Sequence, residues 1–203
     1  MSWDGVFSAT LENERVLLRP LERRDRPALA GIAFDAGLWR HTVSRIDDEA
    51  GLVAFIEAGL GDIAAKKRAV FVVIDKSGGR VAGSMSLGNL AEAERRLEIG
   101  WSWLGRDFQG TGVNRWAKLA LLAEAFDRLG CERVEFKTDV LNEQARRGLR
   151  NIGATEEGVL RSFNFMPDGR RRDAVYFSIL RSEWPALRAR LAKPDFERRR
   201  GGG

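Results

Sequence analysis

Gln109-Gly110-Thr111-Gly112-Val113-Asn114 is the stretch on which the reading of this chain turns. It lies between Leu97-Glu98-Ile99-Gly100-Trp101-Ser102-Trp103-Leu104, which reads as a strand, and residues 115–129, which read as a helix. A glycine-rich turn feeding a helix N-terminus aims several backbone N–H groups at one spot, and the helix dipole adds partial positive charge there. Such a turn can hold phosphates. A P-loop needs Gly-Lys-Ser/Thr at the helix start, and here Val113-Asn114 follows Gly112. A dinucleotide fingerprint needs a third glycine, and position 115 is Arg. Both nucleotide readings fail. A tight strand-to-helix turn without any ligand stays open on the glycine pair alone, because such pairs are common.

Upstream, Glu14 to Pro20 alternates as a first strand stopped by its proline. Two helical stretches follow, one from Asp25 and one over residues 47–65 with Leu52, Phe55, Ile56 and Leu60 on one face. Val70 to Ile74 and Val81 to Leu90 make a hairpin about the turn Lys76-Ser77-Gly78-Gly79-Arg80. Downstream, the helix over 115–129 is apolar around most of its circumference, which predicts burial, and Gly130 closes it. A strand over 133–140 follows, then a short helix capped by Asn142 and ending near Gly153. Strands over 155–165 and 173–180 and a helix over 183–191 complete a mixed α/β sheet that is not doubly wound.

The 203 residues fit one domain, and 44% hydrophobic with 31% charged residues is the balance of a soluble globular chain with a real core. No run approaches the roughly 18 apolar residues of a membrane span, and the first residues lack the pattern of a secretory signal. The single cysteine, Cys131, excludes an internal disulfide and a cysteine-rich zinc site. These features predict a cytoplasmic protein with no membrane partner and no metal. Of the net charge of +5, Glu197-Arg198-Arg199-Arg200 supplies +2. What is left is ordinary, and no nucleic-acid-binding signature accompanies it.

Gln109-x-x-Gly112, with Glu98-Ile99-Gly100-Trp101 before it and the long helix after it, resembles the acyl-CoA motif of the GNAT superfamily of N-acetyltransferases. Phe126-Asp127-Arg128-Leu129-Gly130-Cys131-Glu132-Arg133-Val134 is similar to that family's helix-to-strand junction. Asn142-Glu143, Asn151-Ile152-Gly153-Ala154 and Glu157-Gly158-Val159-Leu160-Arg161 resemble the branch that acetylates ribosomal-protein N-termini, the Rim type. So do Leu38-Trp39-Arg40, Asp168-Gly169-Arg170 and Asp173-Ala174-Val175-Tyr176. The resemblance spans residues 15–184. Two positions depart from it. Asn114 stands where the family usually has Gly or Ala, and Ala145 stands where the branch often carries a hydroxyl.

The resemblance implies a GNAT-type α/β (α+β) fold, a mixed and mostly antiparallel sheet of about seven strands flanked by helices. It implies a single acyltransferase domain over residues 1–192, leaving 193–203 as a basic and glycine tail expected to be disordered. It also implies transfer of an acetyl group from acetyl-CoA, by direct attack, to a primary amine on a protein N-terminus, an amino acid or a small molecule. The backbone of Gln109, Gly110, Thr111, Gly112, Val113 and Asn114 would cradle the CoA diphosphate, with Arg115 as a candidate phosphate partner. Trp101, Ser102, Trp103 and Leu104 occupy the place where family strands splay for the pantetheine arm, and Asn142 resembles the family's pantetheine contact. The tryptophan side chains read equally well as core.

Glu98 is the candidate base, a carboxylate in an apolar strand whose partial burial would raise its pKa. A surface pair with Arg95 is the plain alternative. Trp39, Arg40, His41 and Arg161 are candidate acceptor contacts, although a lone histidine is more often structural. No general acid is evident, since the sole tyrosine, Tyr176, falls in the last strand. Arg40, Arg161, Arg170, Arg171 and Arg172 give the acceptor rim a basic cast, which favours a carboxylate on the acceptor or on the acyl group, as in succinyl-CoA, over a polycation. A succinyl transferase, a non-catalytic acyl-CoA-binding module and a homodimer remain alternatives at this stage.

Overall fold

A computed structural model describes residues 2–193, and the disorder expected of the tail falls largely on residues 194–203, outside the described residues. Eight strands form one sheet in the order β1-β2-β3-β4-β5-β6-β8-β7. They are β1 (Leu11–Glu12), β2 (Val16–Pro20), β3 (Ala69–Asp75), β4 (Arg80–Ala91), β5 (Arg96–Leu104), β6 (Arg133–Asp139), β7 (Thr155–Phe165) and β8 (Arg171–Leu180). Seven are those expected; the eighth, β1, is two residues long and carries no periodic signal. Every pairing is antiparallel except β5 with β6. No helix among the described residues is long and apolar enough to cross a membrane.

The helices α1 (Arg26–Ala33) and α2 (Glu49–Ala64) cover one face of β3, β4 and β5, burying Leu29, Leu52 and Ile56 against Val70, Val72 and Trp103. The opposite face carries the larger core, built from α3 (Val113–Ala123), α4 (Glu143–Ile152) and α5 (Trp184–Leu191). The helix α3 is buried almost all round, as its composition predicts, and its inward polar groups find hydrogen-bond partners. Lys118 Nζ donates to Asn114 Oδ1 at 2.8 Å, and Arg128 pairs with Glu124. It starts two residues earlier than its pattern suggests and ends in a π turn over Glu124–Arg128, before Gly130 at φ +68°. Upstream, the 3-10 turn Asp4–Ser8 seats Trp3 and Val6 in the core, and Trp3 Nε1 donates to the Leu129 carbonyl at 2.9 Å.

Two irregularities position the site. The parallel ladder of β5 with β6 joins only Arg96, Leu97 and Glu98 to Arg133, Val134 and Glu135. Beyond Glu98 the two strands part. On its other edge β5 is bulged: Ser84 pairs Trp103 and Ser86 pairs Gly100, so Trp101 and Ser102 oppose Met85 alone. Trp101 sits there at φ +49°, a conformation that disfavours an L residue by about 1–2 kcal/mol. Its ring lies close over Gly88 and under the Arg68 guanidinium, 4.8 Å from the centroid, so packing holds it in place.

Candidate active site

The parting of β5 and β6 opens a cavity of about 300 Å³. One wall is β5 from Ile99 to Leu104; another is Phe136, Lys137 and Thr138 of β6. The glycine turn closes one end with Gln109, Gly110 and Asn114, and α4 contributes Asn142, Gln144, Ala145 and Leu149. At the other end stand Trp39, His41, Thr42 and Ser44 from the segment between α1 and α2, with Arg172 of β8.

The glycine turn folds as its composition requires. Gly110 has φ +73° and Gly112, the N-cap of α3, has φ +88°. No side chain caps this helix, so its first N–H groups are left to other partners. Gln109 braces the turn: its Nε2 donates to the Leu104 carbonyl at 3.0 Å, and its Oε1 accepts from Gln144 Nε2 at 3.1 Å. Asn114 turns its carbonyl to Lys118, whose ammonium lines the cavity and whose burial pulls its pKa down to about 8. Asn142 caps α4 through the Ala145 amide at 3.0 Å, and its neighbour position, Ala145, offers no hydroxyl.

Glu98 is buried one residue below the cavity wall and does not line it. It makes no pair with Arg95. Its Oε2 accepts from Asn89 Nδ2 at 2.7 Å and from Lys137 Nζ at 3.3 Å. Oε1 lies beside Gly100, a lining residue, so near that a Cβ there would approach it to 2.8 Å.

The cavity therefore brings together ten of the residues singled out from the sequence: Trp39, His41, Trp101, Ser102, Trp103, Leu104, Gln109, Gly110, Asn114 and Asn142. Others fall elsewhere. Arg115 is buried on the side of α3 that meets α5, where Nη1 donates to the Leu191 carbonyl and, at 3.1 Å, to that of Lys193. There its cation closes a helix C-terminus, and it does not line the cavity where a phosphate partner was expected. Val113 packs into the core, and the Thr111 hydroxyl donates back to the Phe108 carbonyl at 2.8 Å. Arg40 stands in a neighbouring hollow with Arg45, Asp47 and Asp168. Arg161 lies exposed on the edge strand β7 and lines neither hollow. Tyr176 packs edge-on against Phe163, with the Lys137 ammonium over its ring.

Sequence reasoning missed Lys118 and Lys137, and took Arg172 only as one of five rim arginines. A lysine four residues beyond Asn114 on the same helix face was a usable signal. So was the period of two along β8, which puts Arg172 and Tyr176 on one face and Arg171 on the other. Burial pushes the Arg172 pKa down, against the pull of Asp139 and Glu98. Cys131, by contrast, is inert: burial pushes its thiol up to about 12.

Known proteins repeat this architecture. Residues 15–155 match the family described as "Acetyltransferase (GNAT) domain". The chain is 37% identical over 106 residues to the Bacillus subtilis (strain 168) protein "Putative ribosomal N-acetyltransferase YdaF", an alignment that spans 57% of that relative's length and 52% of this chain. Among solved structures, a "putative acetyltransferase from T. thermophilus" superposes with a TM-score of 0.83 at 36% identity, covering 91% of this chain and 96% of that one. RimJ of Mycobacterium smegmatis, solved in complex with CoA-disulfide, shares the fold with a TM-score of 0.77 at 22% identity, over 92% of this chain and 94% of its own. With its family match extending over most of the length and its split sheet set above a glycine-capped helix, the chain belongs to the GNAT acetyltransferases.

Proposed function

We propose that this protein moves an acetyl group from acetyl-CoA to a primary amine by direct attack, with Glu98 as the base and a protein N-terminus as the favoured acceptor. The observation that carries this is the split between β5 and β6 opening directly onto the uncapped glycine turn of α3. The residues present fit a CoA diphosphate: two glycines at positive φ, unclaimed helix N–H groups, and the buried Lys118 cation one turn along. When bound, acetyl-CoA supplies an activated carbonyl. The chain's own residues do the rest. The bulge at Trp101 and Ser102 leaves backbone amides outside the β4 ladder, free to donate to a developing oxyanion. Asn142 lies on the wall where the pantetheine arm would run.

The amine enters from the end lined by Trp39 and His41. Its proton passes to Glu98 Oε1 across Gly100, the one position where a missing side chain leaves the carboxylate in reach of the cavity. Lys137 and Asn89 hold the other oxygen and fix the carboxylate's orientation. The names of YdaF and RimJ-type relatives support a protein N-terminus as acceptor. Self-association through the edge strand β7, where Val159, Leu160, Phe163 and Phe165 lie uncovered, belongs to the same proposal.

The test is release of free thiol from acetyl-CoA in the presence of N-terminal peptides and small amines. Glu98→Gln is expected to lower kcat by about 10²-fold or more while CoA still binds, as for a general base. Equal activity in that variant removes Glu98 from the chemistry. Binding of CoA without thiol release for any amine would leave a non-catalytic acyl-CoA module.

A further inference from the structure

We propose that the acceptor end of the cavity is a carboxylate site anchored by Arg172. The inference rests on the transferase reading and narrows it: one member of the substrate pair brings a carboxylate, on the amine or on the acyl group. Arg172 is 4% exposed and lines the cavity, yet among the described residues its side chain makes no hydrogen bond or ion pair, and Nε is buried without a partner. Its two sequence neighbours are both engaged: Arg170 pairs with Asp139, and Arg171 Nε donates to Ser162 Oγ at 2.7 Å.

The acids that could neutralise Arg172 are already committed. Asp139 serves Arg170 and accepts from the Leu141 amide at 3.0 Å, and Glu98 is held by Lys137 and Asn89. Opposite Arg172 in the β7–β8 ladder, Asn164 has a partnerless Oδ1, but a neutral carboxamide oxygen could only accept hydrogen bonds and would leave the charge unmatched. Asp139 and Glu98 pull on Arg172 through space without bonding it, and burial outweighs that pull, so an anion bound directly to the guanidinium would relieve a cost.

The surrounding wall points to what that anion is. Lys118, Lys137 and Arg172 line the cavity; Lys137 is paired with Glu98 behind the wall, the other two cations have no acid bound to them, and no Asp or Glu among the described residues is part of the lining. Trp103 Nε1, a group that can only donate, is also buried there without an acceptor. Two donor-only groups and an excess of positive charge call for an anion with paired oxygens, and a guanidinium grips a carboxylate through two parallel bonds. A polyamine acceptor would meet like charges on arrival.

The experiment uses the full chain in two arms. In the acceptor arm, acetyl-CoA turnover is compared for Ala-Asp-Ala against Ala-Asn-Ala and for alanine against alaninamide. In the acyl arm, succinyl-CoA is compared with butyryl-CoA on one neutral amine. The carboxylate member of one arm is expected to show a kcat/KM higher by about 10- to 100-fold, the range of a charge-assisted hydrogen bond. Arg172→Gln should erase that preference by lowering the carboxylate member far more than the neutral one, and Arg172→Lys should restore part of it. The arm that responds names the source.

Lack of preference in both arms, or an equal fall in both members, overturns the proposal. Because Arg172 has no hydrogen-bond or ion-pair partner among the described residues, Arg172→Met should leave Tm unchanged or raise it; a large fall in both Tm and neutral-substrate turnover assigns Arg172 to the fold instead. If acetyl-CoA gives no turnover with any amine, the transferase reading fails separately. The carboxylate site is then decided by calorimetry. Succinyl-CoA is compared with butyryl-CoA, and the two tripeptides are compared on CoA-bound protein. The same preference supports the site and its absence rejects it.

Discussion

At the scale of single residues, the proposed chemistry rests on Glu98, Gly100 and Lys118. Gly100→Ala would press a methyl group against Glu98 Oε1, at 2.8 Å in the present geometry. The expected outcome is a fall in kcat of tenfold or more with the KM for acetyl-CoA little changed, read from steady-state kinetics; an unchanged kcat would show that the carboxylate does not act across this position. Lys118 makes a pH prediction whose sign is fixed. Its folded-state pKa, about 8, lies below the ordinary 10.5, so between these values the unfolded chain binds more protons and stability rises with pH. Below pH 8 the full penalty applies, about 3 kcal/mol. Lys118→Met should therefore melt higher than the parent at pH 7, with the gap closing toward pH 10. A gap independent of pH would mean that the ammonium is not desolvated. If the proposed site places phosphates beside Lys118, acyl-CoA binding near pH 8.5 should be accompanied by proton uptake, measurable by calorimetry in buffers of different ionisation enthalpy, because they would favour its charged form.

At the scale of elements, the turn before α3 is the most exacting piece. Gly112 holds φ +88° as N-cap, so Gly112→Ala should cost about 1–2 kcal/mol and weaken CoA binding together. A Tm fall without loss of CoA affinity, measured by titration, would separate the turn's structural role from its binding role. This element was legible because its signals are local: two glycines, an apolar strand before and an apolar helix after. The same locality exposed the cap at Asn142 and the end at Gly153. What stayed hidden is what depends on partners distant in the chain. The bulge at Trp101 is a property of how β5 registers with β4, not of the residues around Trp101. Arg115 looked like a phosphate ligand because its neighbours in sequence are the turn, while its neighbours in space are the carbonyls that end α5. The burial of Lys118 and Arg172 escaped notice because basic residues are exposed by default, and only packing reveals the exceptions.

Across the whole molecule, the sheet is two half-sheets. Strands β1 to β5 form one, β6, β8 and β7 the other, and three residue pairs join them at the closed end of the split. Edge strand β7 presents Val159, Leu160, Phe163 and Phe165 to solvent, so sedimentation velocity should detect a dimer that Leu160→Lys weakens; a monomer at every concentration would discount self-association. The open end has a further consequence. A ligand lying in the split bridges half-sheets whose strands pair at only three positions, so it adds a removable contact to the shared core. Hydrogen exchange at Ile99 to Leu104 and Phe136 to Asp139 should slow when CoA is added, more than at the distant β2–β3 ladder. By mass action, a co-substrate present at a hundred times its Kd adds about 2.7 kcal/mol to the folded state. The enzyme's resistance to proteolysis would then rise and fall with the acyl-CoA supply, and starvation for the donor would thin out the catalyst along with its substrate.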